Sequence, residues 1–365
     1  MSTIKTNAIL DASGGNTTTI NSVTPTAYNT MGKNLIINGD FEIAQRSSST
    51  STSTGYQTVD RWKWENNTTD GSWGQAAIST NSGFRKCLRV TTNSTKTPSG
   101  STYAGLLQNI EGYTTNPLYL GTSSAKSFTL SFWVRSTKTG TYSISIKNSN
   151  ATRVYVTEYS INSASTWEYK TITIAGSTDG SWDTTNGIGL GICWWLAGQG
   201  AQTSSTNTWL TSNANMSSNQ VNLFDTTSAT WDITGVQLEV GSVATEFERR
   251  PYPVEKKLCE RYYQKHISNT AYHRFTTGVC GSSTAVEIPF RYSVEMRTTP
   301  SGTFSGNFRA RHATASALSS MAFSAYMNEW GTMITGTMSG GTAGFACNLD
   351  SNNDTSAYIA LSAEL

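Results

Sequence analysis

The sequence is poor in charge, in histidine, in cysteine and in long apolar runs. Only 14% of its 365 residues are charged, well short of the usual quarter or so, and no Lys/Glu/Leu heptad periodicity supports a coiled coil or helical bundle. Its 26 basic and 24 acidic residues leave a net charge of +2, too little to gather nucleic acid or an anionic membrane. No run approaches the length of a transmembrane helix. The start, MSTIKTNAILDASGG, lacks the apolar centre of a secretory signal, so neither membrane insertion nor a leader is expected. Five scattered cysteines (Cys87, Cys193, Cys259, Cys280, Cys347) form no CxxC pair. They read as reduced, buried small hydrophobes of a chain made in a reducing cytoplasm, not as a disulfide framework or zinc site.

Catalytic signals are equally scarce. The three histidines, His266, His273 and His312, form no i,i+4 pair, and no GxSxG occurs. GLGICW and GGTAG are glycine-rich but do not join a strand to a helix, so a phosphate-binding loop is not expected. No long repeated ladder of a β-helical depolymerase is present. Paired carboxylates among the acidic residues stay open, since glycoside hydrolysis depends on a distance that a sequence does not show. The expectation is a protein that is not an enzyme and requires no cofactor.

What the chain does have is aromatic surface and small polar residues. Eleven Trp, sixteen Tyr and twelve Phe are far more rigid apolar area than a disordered chain carries. Alternating runs recur along it: VDRWKWEN, KCLRVTT (86–92), SFTLSFWVRST (127–137), TYSISIKN (141–148), TRVYVTEYSI (152–161), WEYKTITIA (167–175), GIGLGICWWLA (187–197) and WDITGVQLEV (231–240). Each is bounded by turn residues, the sign of an antiparallel sandwich or jelly roll. LIINGDFE is read as a further strand with a tight turn. Trp62 and Trp64 fall on one face of VDRWKWEN, Trp62 as a core ring with its N–H satisfied nearby, and Gly235 is read as a bulge that re-aims its strand. PVEKKLCERYYQK reads as the one helix, opening at a proline, and strands return from 267 onward. The fold expected is all-β: an N-terminal extended arm (1–33), a jelly-roll β-sandwich (34–250), a short linker helix (251–266) and a C-terminal β-sandwich (267–365).

Sugar recognition needs aromatic platforms ringed by hydrogen-bonding groups. In GICWWLAGQGAQTSSTNTWL, Trp194 and Trp195 must face opposite ways on a strand, so one is core. The other, with Trp209, either forms a sugar platform or closes the sandwich. In the last domain the candidates for receptor contact are Tyr272, His273 and Arg274, then Arg309, Arg311 and His312, then Tyr326, Asn328, Glu329 and Trp330, with packing against copies of the chain as the alternative use of the same rings.

Four segments resemble a known family. NLIINGDFEIAQR (34–46) with TVDRWKW (58–64) is similar to the opening of the carbohydrate-binding-module-like domain of bacteriophage tail fibres, notably those of short-tailed marine and cyanobacterial phages. WDITGVQLEVGSVATEFERRPYPVEKKLCERYYQK (231–265) resembles the close of that domain and the helix after it. AYIALSAEL resembles the terminal strand of such fibres, and NAILDASGGNTTTINSVTPT their virion-proximal start. The resemblance implies a homotrimeric adhesin on the virion, attached to the phage tail or an adaptor protein through residues 1–33, whose C-terminal tip binds host surface polysaccharide or lipopolysaccharide. Its likeness to carbohydrate-binding modules that open on an acidic first strand also implies a structural calcium at Glu42 and Asp232. A polysaccharide-degrading tail protein and a purely structural virion decoration are the alternatives.

Overall fold

The computed structural model describes residues 32–78 and 83–365, so the arm expected at 1–33 lies almost wholly outside the described residues. The described residues divide into two compact units, one built of 32–42, 49–57 and 62–250, the other of 43–48, 58–61 and 251–365.

The first unit is a jelly-roll sandwich of two antiparallel sheets. One sheet runs in the order β1 (Lys63–Asn66), β4 (Tyr103–Glu111), β9 (Ile188–Gly198), β6 (Gly140–Lys147), β7 (Val154–Ile161) and the short β11 (Trp209–Leu210). The other runs β2 (Gly71–Ala77), β3 (Lys86–Thr92), β13 (Thr230–Val240), β5 (Phe128–Ser136) and β8 (Glu168–Ile174). Period-two alternation turns one ring set of each strand inward. Trp62 lies 4.9 Å from Phe41 and 5.6 Å from Trp194 between ring centroids, and Phe132 of the facing sheet meets Trp194 edge-on at 5.8 Å. The Trp62 Nε1–H donates to the Asn38 carbonyl at 3.0 Å, satisfying the buried indole as the sequence predicts.

LIINGDFE forms no strand. It runs beside β13, with the Leu35 N–H on the Leu238 carbonyl at 2.8 Å, then turns through Asn38 and Phe41, both at positive φ. The predicted bulge is present: the β13–β5 register shifts between Thr234 and Gln237, and Gly235 sits at φ 61°. The Gly39 turn fits into that bulge. The Val236 N–H donates to the Gly39 carbonyl at 2.9 Å, and a Cβ on Gly39 would stand 2.1 Å from the Val236 oxygen. The glycine of NGD therefore packs on Val236 of TGV.

In the second unit helix α2 spans Tyr252–Glu260, and β14 (Tyr263–Ile267) begins three residues on, so the helix is shorter than the 251–266 stretch of the sequence reading. β14 pairs with β23 (Tyr358–Ser362), which pairs with β17 (Ser301–Ser305). The larger sheet has the order β19 (Ala315–Ala317), β18 (Phe308–Arg311), β22 (Ala346–Ser351), β15 (Arg274–Cys280), β16 (Ala285–Arg291), β21 (Gly331–Thr337), β20 (Ser320–Phe323). Its two ends are one broken strand. Between β19 and β20 the Leu318 N–H bonds the Phe308 carbonyl and the Ser319 N–H the Thr337 carbonyl, each at 2.9 Å, so the sheet closes into a ring around Val286, Ile288, Phe290, Ile334 and Leu349.

The segments 43–48 and 58–61 contribute a polar clasp to this unit. Arg46 places its guanidinium 3.6 Å from the centroid of the Tyr263 ring, and Arg61 lies 3.5 Å above Tyr262. Both guanidiniums reach the Glu364 carboxylate, Arg46 at 3.2 Å. Gln45 caps Asp60 through its backbone N–H, at 2.9 Å, and its side-chain amide. Burial pushes the Asp60 carboxyl up to about 6 from 3.8, opposed by Arg46 and the Gln45 bonds. The folded state thus holds this proton more tightly than the unfolded state, and the stability it brings is full below the ordinary carboxylate value and lost as pH rises through about 6. We expect the stability of the wild type relative to Asp60→Asn to fall as pH rises across that window, read by thermal melts of both; a flat difference would show that the group does not titrate there.

Candidate functional site

The end of the jelly roll where β4 leaves and β9 enters carries a cleft of about 420 Å³, within the range of small-ligand sites. Its walls come from two turn-rich segments. After β4 the chain makes one helical turn, α1 (Gly112–Thr115), and a 3₁₀ turn, Asn116–Leu118, with Pro117 fixing the backbone. Opposite it, Trp182, Asp183 and Thr184 precede β9. Main-chain bonds tie the two segments, Gly112 N–H to the Gly187 carbonyl at 2.9 Å and Tyr113 N–H to the Thr185 carbonyl at 2.8 Å. Gly121, at φ 80°, admits the Trp182 ring, whose Cδ1 a Cβ there would meet at 2.8 Å.

Three rings face the cleft. Tyr113 is 58% and Tyr119 46% exposed, and Trp182 is half-buried. Trp182 is braced from behind: its Nε1–H donates to the Asp179 carbonyl at 3.0 Å, and its ring meets Trp209 edge-on at 5.5 Å, which in turn leans on Tyr155 at 5.2 Å. The Trp209 Nε1–H is itself spent on the Ala175 carbonyl. Lys126 stands 4.9 Å from the Tyr119 ring centroid. Asp183 accepts both the backbone N–H and the hydroxyl of Thr185, and those bonds hold its carboxyl below the usual range. Rigid apolar faces bordered by amide, hydroxyl and carboxylate groups suit stacking against a sugar ring while bonding its hydroxyls. Among the described lining residues one carboxylate is present, Asp183, where glycoside hydrolysis typically employs a pair.

Of the sequence candidates in this unit, only Trp209 supports the cleft, and it does so from behind. Trp194 and Trp195 are both buried. Trp194 fills the space between the sheets. Trp195 points to the other side of its sheet, as alternation requires, but is covered there: Met216 packs on it, its Nε1–H bonds the Ser145 hydroxyl at 2.8 Å, and Gln220 holds its carbonyl. The segment that supplies this cover contains the short parallel pair β10 (Gln202–Thr203) and β12 (Met216–Ser217). Neither indole is available as a platform. Tyr113, Tyr119 and Trp182 escaped the sequence reading; their signal was an aromatic within each of two turn-rich stretches, EGYTTNPLYLG and GSWDTTNG.

The residues expected to hold calcium do not fit a cation. Asp232 is buried with both oxygens on guanidiniums, Arg89 at 2.7 and 2.9 Å and Arg135 at 3.0 Å. Its hydrogen bonds in turn raise the Arg89 pKa. Glu42 faces Arg85 at 3.3 Å. No group of three potential ligands occurs among the described residues.

In the second unit the expected receptor residues separate into two groups. Arg309 lies 4.1 Å over the Tyr272 ring and 3.3 Å from buried Asp350, which Arg274 also approaches at 3.5 Å. Arg311, two residues along the same strand, is exposed. Tyr326 and Trp330, 89% and 61% exposed, flank a turn in which the Asn328 side-chain oxygen accepts the N–H groups of Trp330 and Gly331. His273 packs edge-on against Phe275, and His266 does the same against Phe290.

No family model and no curated protein matches the chain. Among solved structures it is similar to a putative sugar binding protein from Bacteroides thetaiotaomicron, at 13% identity and a TM-score of 0.34, over 57% of this chain and all of that one. It is also similar to the module TmCBM61, solved in complex with β-1,4-galactotriose, at 10% identity and a TM-score of 0.29, over 57% and 99% of the two chains. The enzymatically active domain of tailspike protein 4 of bacteriophage CBA120 is similar at 12% identity and a TM-score of 0.32; the match takes in 57% of this chain and 21% of that one.

Proposed function

We propose that this chain is a carbohydrate-binding adhesin of a bacteriophage tail fibre, which holds the virion to host surface polysaccharide or lipopolysaccharide without cleaving it. The observation that carries the reading is the cleft in which Tyr113, Tyr119 and Trp182 present exposed or half-exposed ring faces. The likeness of the sequence segments to tail fibres supplies the viral setting, in which residues 1–33 meet the tail and the chain acts as a homotrimer. A trimer would multiply a weak site, because linked copies raise the effective concentration without new contacts. The turn presenting Tyr326 and Trp330 gives the second unit a further aromatic surface for the same receptor.

The test is binding of the intact chain to polysaccharide purified from a susceptible host, by calorimetry. Trp182→Ala and Tyr119→Ala are each expected to weaken it roughly tenfold or more, the scale of an aromatic hot spot. Unchanged affinity in both would remove the cleft from the function, and newly released reducing ends would replace adhesion by hydrolysis. Light scattering tests the trimer, with a mass of one chain standing against it.

A further inference from the structure

The bulge at Gly235 opens a second cleft, on the outer face of the sheet containing β13, β5 and β8. It measures about 440 Å³ and has Ser131 and Gly235 among its lining residues. A Cβ on Gly235 would stand 2.5 Å from the Phe84 ring, so the missing side chain is what lets Phe84 lie across the bulge. On one side Trp133 and Tyr169, paired across β5 and β8, hold their rings 5.2 Å apart at 42°, an open V with Tyr169 43% exposed. On the other, Phe84 and Phe247 meet edge-on at 5.1 Å, and the exposed Arg249 guanidinium lies 4.6 Å from the first ring centroid and 5.9 Å from the second.

An arginine laid over two rings has less freedom to lose on binding, and its planar fork matches a carboxylate. Arg135, two residues from Trp133, shares Asp232 with Arg89, two guanidiniums for one carboxylate on the same face. Lys33 donates to the Glu246 carbonyl at 2.6 Å beside the cleft. Among the carboxylates nearby, Glu246 is exposed, Glu239 is buried with its oxygens on Thr245 and Gln237, and Glu248 is held by the Asn34 N–H and Arg250. We propose that this cleft is a separate binding site for an acidic sugar, a uronic acid residue that stacks on the Trp133–Tyr169 pair and gives its carboxylate to Arg249. The Asp183 cleft offers no such guanidinium among its lining residues, so the two sites select sugars of different charge.

The probe is tetragalacturonate titrated into the full chain, with cellotetraose as the neutral counterpart. Trp133→Ala, Tyr169→Ala and Arg249→Gln are each expected to weaken tetragalacturonate binding roughly tenfold, and raising salt from about 0.05 to 0.5 M to weaken it further. Two ring variants are included so that misfolding of one, seen in its melting curve, does not decide the result. Trp182→Ala should leave this binding unchanged, so failure of the adhesin reading and failure of this site are told apart. Absence of saturable tetragalacturonate binding overturns the site. Binding that survives Arg249→Gln, or that cellotetraose matches, overturns its selectivity for an acidic sugar.

Discussion

Arg61→Ala should destabilise the second unit by about 3–5 kcal/mol, the scale for breaking a buried ion pair. The residue is 1% exposed, pairs with Glu364, and lies on the Tyr262 ring. Removing it empties a guanidinium-sized volume and leaves the buried Glu364 carboxylate dependent on Arg46 alone. Arg61→Lys should recover only part of the loss, because an ammonium cannot lie flat on the ring while bonding the acid. Urea denaturation followed by fluorescence measures both variants, and a loss for Arg61→Ala below about 1 kcal/mol would place the pair among weak surface bridges. The same clasp bears on how the chain is divided. A fragment of residues 251–365 lacks Gln45, Arg46, Asp60 and Arg61, all of which belong to its compact unit. It should unfold at lower denaturant than the same unit in the full chain, and equal midpoints would show that the clasp adds nothing.

Trp194→Ala should cost about 3–5 kcal/mol of stability, as expected for truncating a large core ring. The indole is fully buried between the sheets, with Trp62 and Phe132 on it. Sugar binding by the folded fraction should be unaffected, since Trp194 does not line the cleft. Trp182→Ala is the converse case, with little change in melting and a large loss of affinity. Melting curves and sugar titrations on both variants separate the two roles. A Trp194→Ala protein that melts like the wild type would contradict the core assignment, and one that stays folded but loses sugar would restore the indole as a binding residue.

The strands were legible because period-two alternation is local: 86–92 coincides with β3, and the runs between 127 and 240 match their strands to within two residues at either end, whereas of VDRWKWEN only Lys63–Asn66 is strand, the chain before it turning through Arg61 at φ 72°. The bulge was legible too, from one glycine in an apolar run. What escaped the reading depends on contacts distant in sequence. LIINGDFE looks like a strand but spends itself on the Gly235 bulge and the Asn38 turn, about two hundred positions from its partner. Alternation correctly sent Trp195 to the face opposite Trp194, yet gave no sign that Met216 and Gln220 would cover it. Asp232 looked available for a cation because Arg89 and Arg135 reach it from two other strands. Residues of the stretches that resembled a family, Gln45 and Arg46, Asp60 and Arg61, Tyr262 and Tyr263, meet in one place, with Glu364 of the terminal stretch. That part of the likeness has a physical content: these residues hold one another.

The ring of strands in the second unit has a bearing on how that unit meets other molecules. An open sheet offers unpaired N–H and C=O groups along its margins, to which a foreign strand can add. Here the two end strands, β19 and β20, follow one another directly through Leu318 and Ser319, whose N–H groups bond back to Phe308 and Thr337, so each end exposes a margin of only three or four residues. Such short margins leave little room for strand addition and direct any contact to side chains on the outer wall and to the loops at the rims. The turn that carries Tyr326 and Trp330 is such a rim, and its sequence can change while the ladder beneath it is kept.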